Sequence, residues 1–220
     1  AHLRAQILYY IAENLSVRRE EFAQRIIAMT GAATETAKAE VDLSIDRLFI
    51  YAAWADKYDG AAHAVPIRGL ALAMHEPVGI IGILCSDQAP LLGMVSVLAP
   101  AIAMGNTCVI VPSQAYPLMA TDLYQVLETS DLPAGVVNIV TAAHSDVVET
   151  MAGHMEVDAL WYFGADGHSE SIERASVTNL KRTWVNNGRS RDWQDTKQGA
   201  GKEFLRQATE VKNIWIPYGE

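Results

Sequence analysis

Cysteine is scarce in this chain, with 2 in 220 residues. Cys85 and Cys108 each sit inside an apolar, strand-like run, so buried free thiols in a reducing compartment are expected rather than a disulfide. Positive charge is also short: 17 Lys and Arg stand against 26 Asp and Glu, a formal net charge of −9. No basic run offsets that excess, so no nucleic-acid partner is expected, because phosphate binding rests on clustered Lys and Arg. Long hydrophobic runs are missing as well. The stretch 91–104 is interrupted by Gly93, Ser96 and Pro100 and falls short of a membrane span. No signal-peptide pattern opens the chain, so the expected location is cytoplasmic, with no membrane partner. The helical pattern begins almost at once, as in a domain cut from a longer polypeptide. Paired metal ligands are absent too: His144, His154 and His168 are spaced irregularly and read as solvent-facing helix ends.

What is present is a globular composition, 50% hydrophobic and 20% charged, enough for one sizeable core. Residues 3–30 carry apolar positions at helical spacing, with Ser16 as the expected cap of a second helix and Gly31 as its end. A long helical pattern runs from Thr34 to Tyr58. Residues 67–74 and 78–85 then read as two strands around the tight connection His75-Glu76-Pro77. From Pro90 onward helices and short apolar strands alternate: helix 90–104, strand 107–111, helix 120–128, strand 136–140, helix 145–152, strand 159–163, helix 169–175, strand 182–186. Such alternation predicts βαβ units, hence an α/β fold with a Rossmann-like parallel sheet and helices on both faces. The polar stretch 187–201 reads as a linker, 203–209 as a helix and 210–217 as a final strand. Asp87 at a strand end is expected to cap a helix, and Asp166-Gly167-His168 reads as a turn.

Several stretches resemble the aldehyde dehydrogenase superfamily: Ala53-Trp54-Ala55-Asp56-Lys57, His75-Glu76-Pro77-Val78-Gly79, Leu98 through Thr107, Leu132 through Val140, and Asn179-Leu180-Lys181. Their order matches the cofactor-binding half of that family from about residue 1 to 190, and Ala208 through Trp215 resembles its closing strand. The resemblance implies N-terminal helices over 1–64, β-flap oligomerisation strands at 65–85 and 210–217, a cofactor-domain remnant over 80–190, and the 187–201 linker in place of a catalytic domain.

Set against the family's chemistry, the chain is depleted. Such enzymes need a thiol nucleophile, an amide to hold the oxyanion and a carboxylate base. The resemblance puts Gln88 at the oxyanion Asn and Asn186 at the general-base Glu, while neither Cys85 nor Cys108 lies in the nucleophile's context. The cofactor motif Lys-Pro-Ser-Glu appears as Val111-Pro112-Ser113-Gln114, and Thr-Gly-Ser as Phe163-Gly164-Ala165, with Phe163 expected to add bulk against the pyrophosphate. The glycines expected after Val140 are replaced by Thr141-Ala142-Ala143-His144. A degraded NAD site follows, with no cofactor expected beyond weak NAD(P) binding. The chain is similar to the incomplete, non-catalytic second domain of the sixteenth aldehyde dehydrogenase family. The function expected is that of a pseudoenzyme with an assembly role, its flap docking on a companion aldehyde dehydrogenase domain or on itself as a homo-oligomer. Val211, Ile214, Trp215 and Ile216 are the candidate interface residues. The other reading is part of an NAD(P)-dependent aldehyde dehydrogenase whose active site another domain or chain completes.

Overall fold

The structure, a computed structural model, describes residues 1–218. Three helices open it: α1 (His2–Val17), α2 (Arg19–Thr30) and α3 (Thr34–Trp54). Leu8, Ile11 and Leu15 of α1 recur at helical spacing and are fully buried, so they form the stripe that packs inward. The break after α1 falls at Arg18 rather than at Ser16, which lies inside α1 and caps nothing. Arg18 instead pairs with Glu21 in the first turn of α2. Gly31, at φ +71, ends α2 as its position implies.

A parallel sheet of five strands forms the centre: β3 (Ile80–Leu84), β4 (Thr107–Val111), β5 (Val137–Ile139), β6 (Ala159–Tyr162) and β7 (Arg182–Val185), in the order β5-β4-β3-β6-β7. On one face α4 (Pro90–Ala103) is buried at every position and packs with α1, α3 and α5 (Leu118–Glu128) into the main core. On the other face α6 (His144–Gly153) and α7 (Ser169–Ala175) cover Leu84, Val111, Leu160 and Tyr162. Chain connections leave β3 toward β4 on one side and β6 on the other. That reversal opens a crevice at the carboxyl ends of the strands, where α/β proteins place their sites.

The flap is a separate antiparallel sheet of β1 (Gly60–His63), β2 (Gly69–Pro77) and β8 (Thr209–Pro217), in the order β1-β2-β8. Its composition differs from the expected strand pair at 65–85. Residues 69–77 do join the flap, but 80–84 are the centre of the parallel sheet, and the third flap strand is β1. Gly79 makes the division. At φ +129 it turns the chain between the two sheets, and a Cβ there would lie 2.2 Å from the Asp158 carboxylate that accepts from Ile80 N. Buried Asn106 holds the flap's root: its amide donates to the carbonyls of Ala101 and Ala208 at 2.9 and 2.8 Å, and its oxygen accepts from Gly79 N.

Residues 187–201 are not a free linker. They contain a short helix, α8 (Thr196–Gly199), capped by Asp195, and they lead into α9 (Lys202–Gln207). Trp193 is only 2% exposed and belongs to the main core. A single apolar side chain in a polar run carries no periodic signal, so tertiary packing alone reveals it. No helix among the described residues is long and apolar enough to cross a membrane.

Candidate functional site

The loop after β3 carries Asp87 and Gln88. Asp87 caps no helix: its Oδ1 accepts from the Ser113 hydroxyl at 2.6 Å and from Ala115 N at 3.1 Å, joining the loops after β3 and β4. Glu40 of α3 does the capping instead. Its Oε1 accepts from Leu91 N and Leu92 N at 2.9 and 3.3 Å, satisfying free donors at the start of α4. Burial pushes the Glu40 carboxyl up, and those two hydrogen bonds oppose the shift. Between Gln88 and α4, Ala89 adopts φ +48, a left-handed conformation unusual for alanine.

After β4, Val111 is fully buried and presents no polar group. Ser113 is bonded to Asp87 and accepts from Tyr116 N. Gln114 reaches across the sheet: its Oε1 accepts from His144 N at 3.0 Å, and its Nε2 donates to Asp166 at 3.4 Å. Asp166, beyond the end of β6, is the hub. It accepts from the Tyr162 hydroxyl, lies 3.4 Å from His144 Nδ1 and 3.5 Å from His168 Nε2. Burial would raise the Asp166 carboxyl, but the Tyr162 hydroxyl and the nearby His144 hold it below its ordinary value. Burial and that same bond push Tyr162 up to about 12. Gly164 lies under the hub, where a Cβ would come 2.5 Å from Asp166 and 2.7 Å from His144 Nδ1. Ala165 is exposed.

His144 is therefore fully buried rather than solvent-facing, because the Gln114 and Asp166 bonds draw the start of α6 inward. His154 is exposed and His168 half-buried. Among the described residues no group of three or more His, Cys, Asp or Glu could hold a metal ion.

After β7, the Asn186 side chain donates to Gly164 O at 2.7 Å and accepts from Gly188 N at 3.2 Å, spanning the ends of β6 and β7. Phe163 does not project toward a pyrophosphate position. It turns into the core, edge-on to Trp184 and Trp193 at 5.1 and 5.3 Å. Arg191 caps that aromatic group, its guanidinium 5.6, 5.2 and 5.3 Å from the rings of Phe163, Trp184 and Phe204. Gln88 and Asn186 do not meet. They line separate open cavities of about 300 and 590 Å³, and Arg191 borders both. Cys85 and Cys108 are fully buried and unpaired, and burial raises both thiols, Cys108 to about 12.

The sequence model described as "Aldehyde dehydrogenase family" matches residues 1–190. The chain belongs to the aldehyde dehydrogenase family. An aldehyde dehydrogenase of Agaricus bisporus is 29% identical over 187 residues, which are 84% of this chain and 37% of that protein. Cytosolic 10-formyltetrahydrofolate dehydrogenase of Mus musculus is 32% identical over 185 residues, 81% of this chain and 20% of its own length. A crystal structure of betaine aldehyde dehydrogenase from Staphylococcus aureus, in complex with NAD+, superposes with a TM-score of 0.79 at 28% identity, covering 84% of this chain and 37% of that one. The chain thus spans well under half the length of these aldehyde dehydrogenases.

Of the positions singled out by sequence, Ser113, Gln114, Gly164 and Asn186 come together at the carboxyl ends of the strands. Val111 stays within the core. Val211, Ile214, Trp215 and Ile216 lie apart from them on β8 of the flap. Sequence reasoning missed Glu40, Asp166 and Arg191 in their observed roles: the donors that Glu40 meets lie 51 and 52 positions away, Asp166 sits in an ordinary turn signal, and Arg191 in a polar stretch without periodicity.

Proposed function

We propose that this chain is a non-catalytic, pseudoenzyme-type member of the aldehyde dehydrogenase family, corresponding to the incomplete second domain of the sixteenth family, with a role in assembly. Asn186 is the observation that carries the non-catalytic half of this reading. Where the family resemblance calls for a base, an amide bonds the Gly164 carbonyl and the Gly188 N–H, and an amide accepts no proton at neutral pH. Beyond it the chain passes through a packed strap, 187–201, directly to α9 and β8. Arg191 and Trp193 of that strap stand beside Gln88, where a substrate would need open space.

The strand ends do not fit a dinucleotide. The polar groups that could meet one, Gln114, His144, Tyr162 and Asp166, bond each other, and Asp166 brings negative charge toward a phosphate. Val111 supplies no cation. Weak NAD(P) binding is all that remains, as the backbone shape alone would give.

The flap supports the assembly half. Val211, Trp215 and Ile216 are 55, 60 and 47% exposed on one nine-residue strand whose outer edge has no neighbour among the described residues. An open edge with large apolar side chains invites strand addition. The companion is a complete aldehyde dehydrogenase domain or a second copy of this chain.

Steady-state NADH and NADPH formation from small and aromatic aldehydes tests the catalytic question. No turnover is expected. Turnover that Cys85→Ala or Cys108→Ala abolishes would overturn the non-catalytic reading.

A further inference from the structure

The cavity of about 590 Å³ beside Asn186 is unlike the rest of this acidic molecule. Arg189, Arg191 and Lys197 line it with Asn186 and Ser190, against a single carboxylate, Glu203. Glu203 is already committed, lying 3.3 Å from Arg191 Nη1, which also donates to Gln198 O at 2.6 Å. Asp195, close by, is likewise engaged, accepting from Lys197 N and Gln198 Nε2 at 3.0 and 3.2 Å. Arg189 and Lys197 enter no ion pair among the described residues. Two unpartnered cations thus face one concavity in a chain of net charge −9.

We propose that this cavity binds a small dianion whose charge is carried on oxygen, a phosphoryl group or a dicarboxylate. Arg189 offers a fork suited to paired oxygens, and Lys197 adds a point charge from α8. Asn186 and Ser190 supply neutral hydrogen-bonding groups at the same wall. The Arg191 guanidinium, fixed over three rings and paired with Glu203, forms a rigid floor. The size of the cavity suits such a ligand and leaves room for water, which lets exposed Arg189 and Lys197 close on it without moving the core. This site is separate from the flap and from the Asp166 hub, so it stands independently of the assembly role.

Calorimetric titration of the whole chain at constant ionic strength provides the test, with inorganic phosphate and succinate as probes and acetate as the monoanion control. At least one dianion should bind about tenfold tighter than acetate. Arg189→Gln with Lys197→Gln should weaken that binding about tenfold, or about 1.4 kcal/mol, while Lys197→Arg retains it. Both replaced side chains are exposed, and an unchanged circular dichroism spectrum confirms folding. Binding of phosphate alone assigns a phosphoryl ligand, and binding of succinate alone a dicarboxylate. Equal binding of acetate, no heat with either dianion, or undiminished binding by the double variant would overturn the proposal.

Discussion

Arg47 on α3 donates from Nη2 to the main-chain oxygen of Trp193 at 2.9 Å, joining residues 146 positions apart. Gly199 packs against the same carbonyl, where a Cβ would intrude to 2.4 Å. This contact turns the polar stretch 187–201 into a strap. It covers aromatic surface that the chain would otherwise expose, with Phe163 edge-on to Trp193. Burial lowers the Arg47 pKa, as expected for a cation held by a carbonyl rather than by a carboxylate.

Trp193→Ala should therefore cost about 3 kcal/mol or more, the range for removing a buried aromatic side chain. Urea denaturation measures it. A loss under about 0.5 kcal/mol, typical of a surface change, would show that the strap is a linker after all.

Glu40 gives a pH signature. Its folded carboxyl is raised above the ordinary value of 4.5. Stability from this group is thus fully present below that value and is lost as the pH rises through the folded pKa. Glu40→Gln removes the titration while keeping an oxygen acceptor for Leu91 N. Relative to wild type, the variant should gain stability as pH climbs above 4.5. Parallel stability curves for the two proteins from pH 4 to 7, on the order of the titration window, would contradict the assigned shift.

The cofactor prediction turns on Gln114. Val111→Lys with Gln114→Glu restores the family's residues in name, but a Glu at 114 would place a carboxylate beside Asp166, where Gln114 Nε2 now sits at 3.4 Å. The double variant should bind NAD no tighter than about 1 mM and lose thermal stability. Micromolar affinity in calorimetry, in either the variant or the wild type, would restore a cofactor-platform role.

How much of this was legible in the sequence depends on the element. Strand β4 and helix α7 are bounded where the sequence pattern puts them, because short β-branched runs and helical apolar spacing signal locally. Residues 80–85 read from the sequence as part of both the flap and the cofactor domain, because the apolar run of β3 follows β2 after only Val78 and Gly79; tertiary pairing puts β3 in the parallel sheet. Strand β1, Gly-Ala-Ala-His, has low strand propensity and exists only through its ladder with β2. At the site, Asn186 and Gln88 were recognisable by motif. An ordinary turn signal hides the Asp166 hub, and the motif position of Phe163 predicts bulk in the cleft, whereas its neighbours Trp184 and Trp193 draw it inward.

The proposed assembly role rests on β8. Its register pairs Leu70 with Ile216 and Leu72 with Ile214, which makes one apolar flap face, while Val211 and Trp215 stand on the other. Burying such side chains against a partner is worth about 1.5–3 kcal/mol each. Light scattering on the purified chain, alone and mixed with a complete aldehyde dehydrogenase, tests this most directly. An assembly role predicts a dimer, a larger species or a mixed complex, converted to monomers by Ile214→Asp with Ile216→Asp without loss of helical signal. A wild-type chain that stays strictly monomeric and ignores the complete aldehyde dehydrogenase would contradict it.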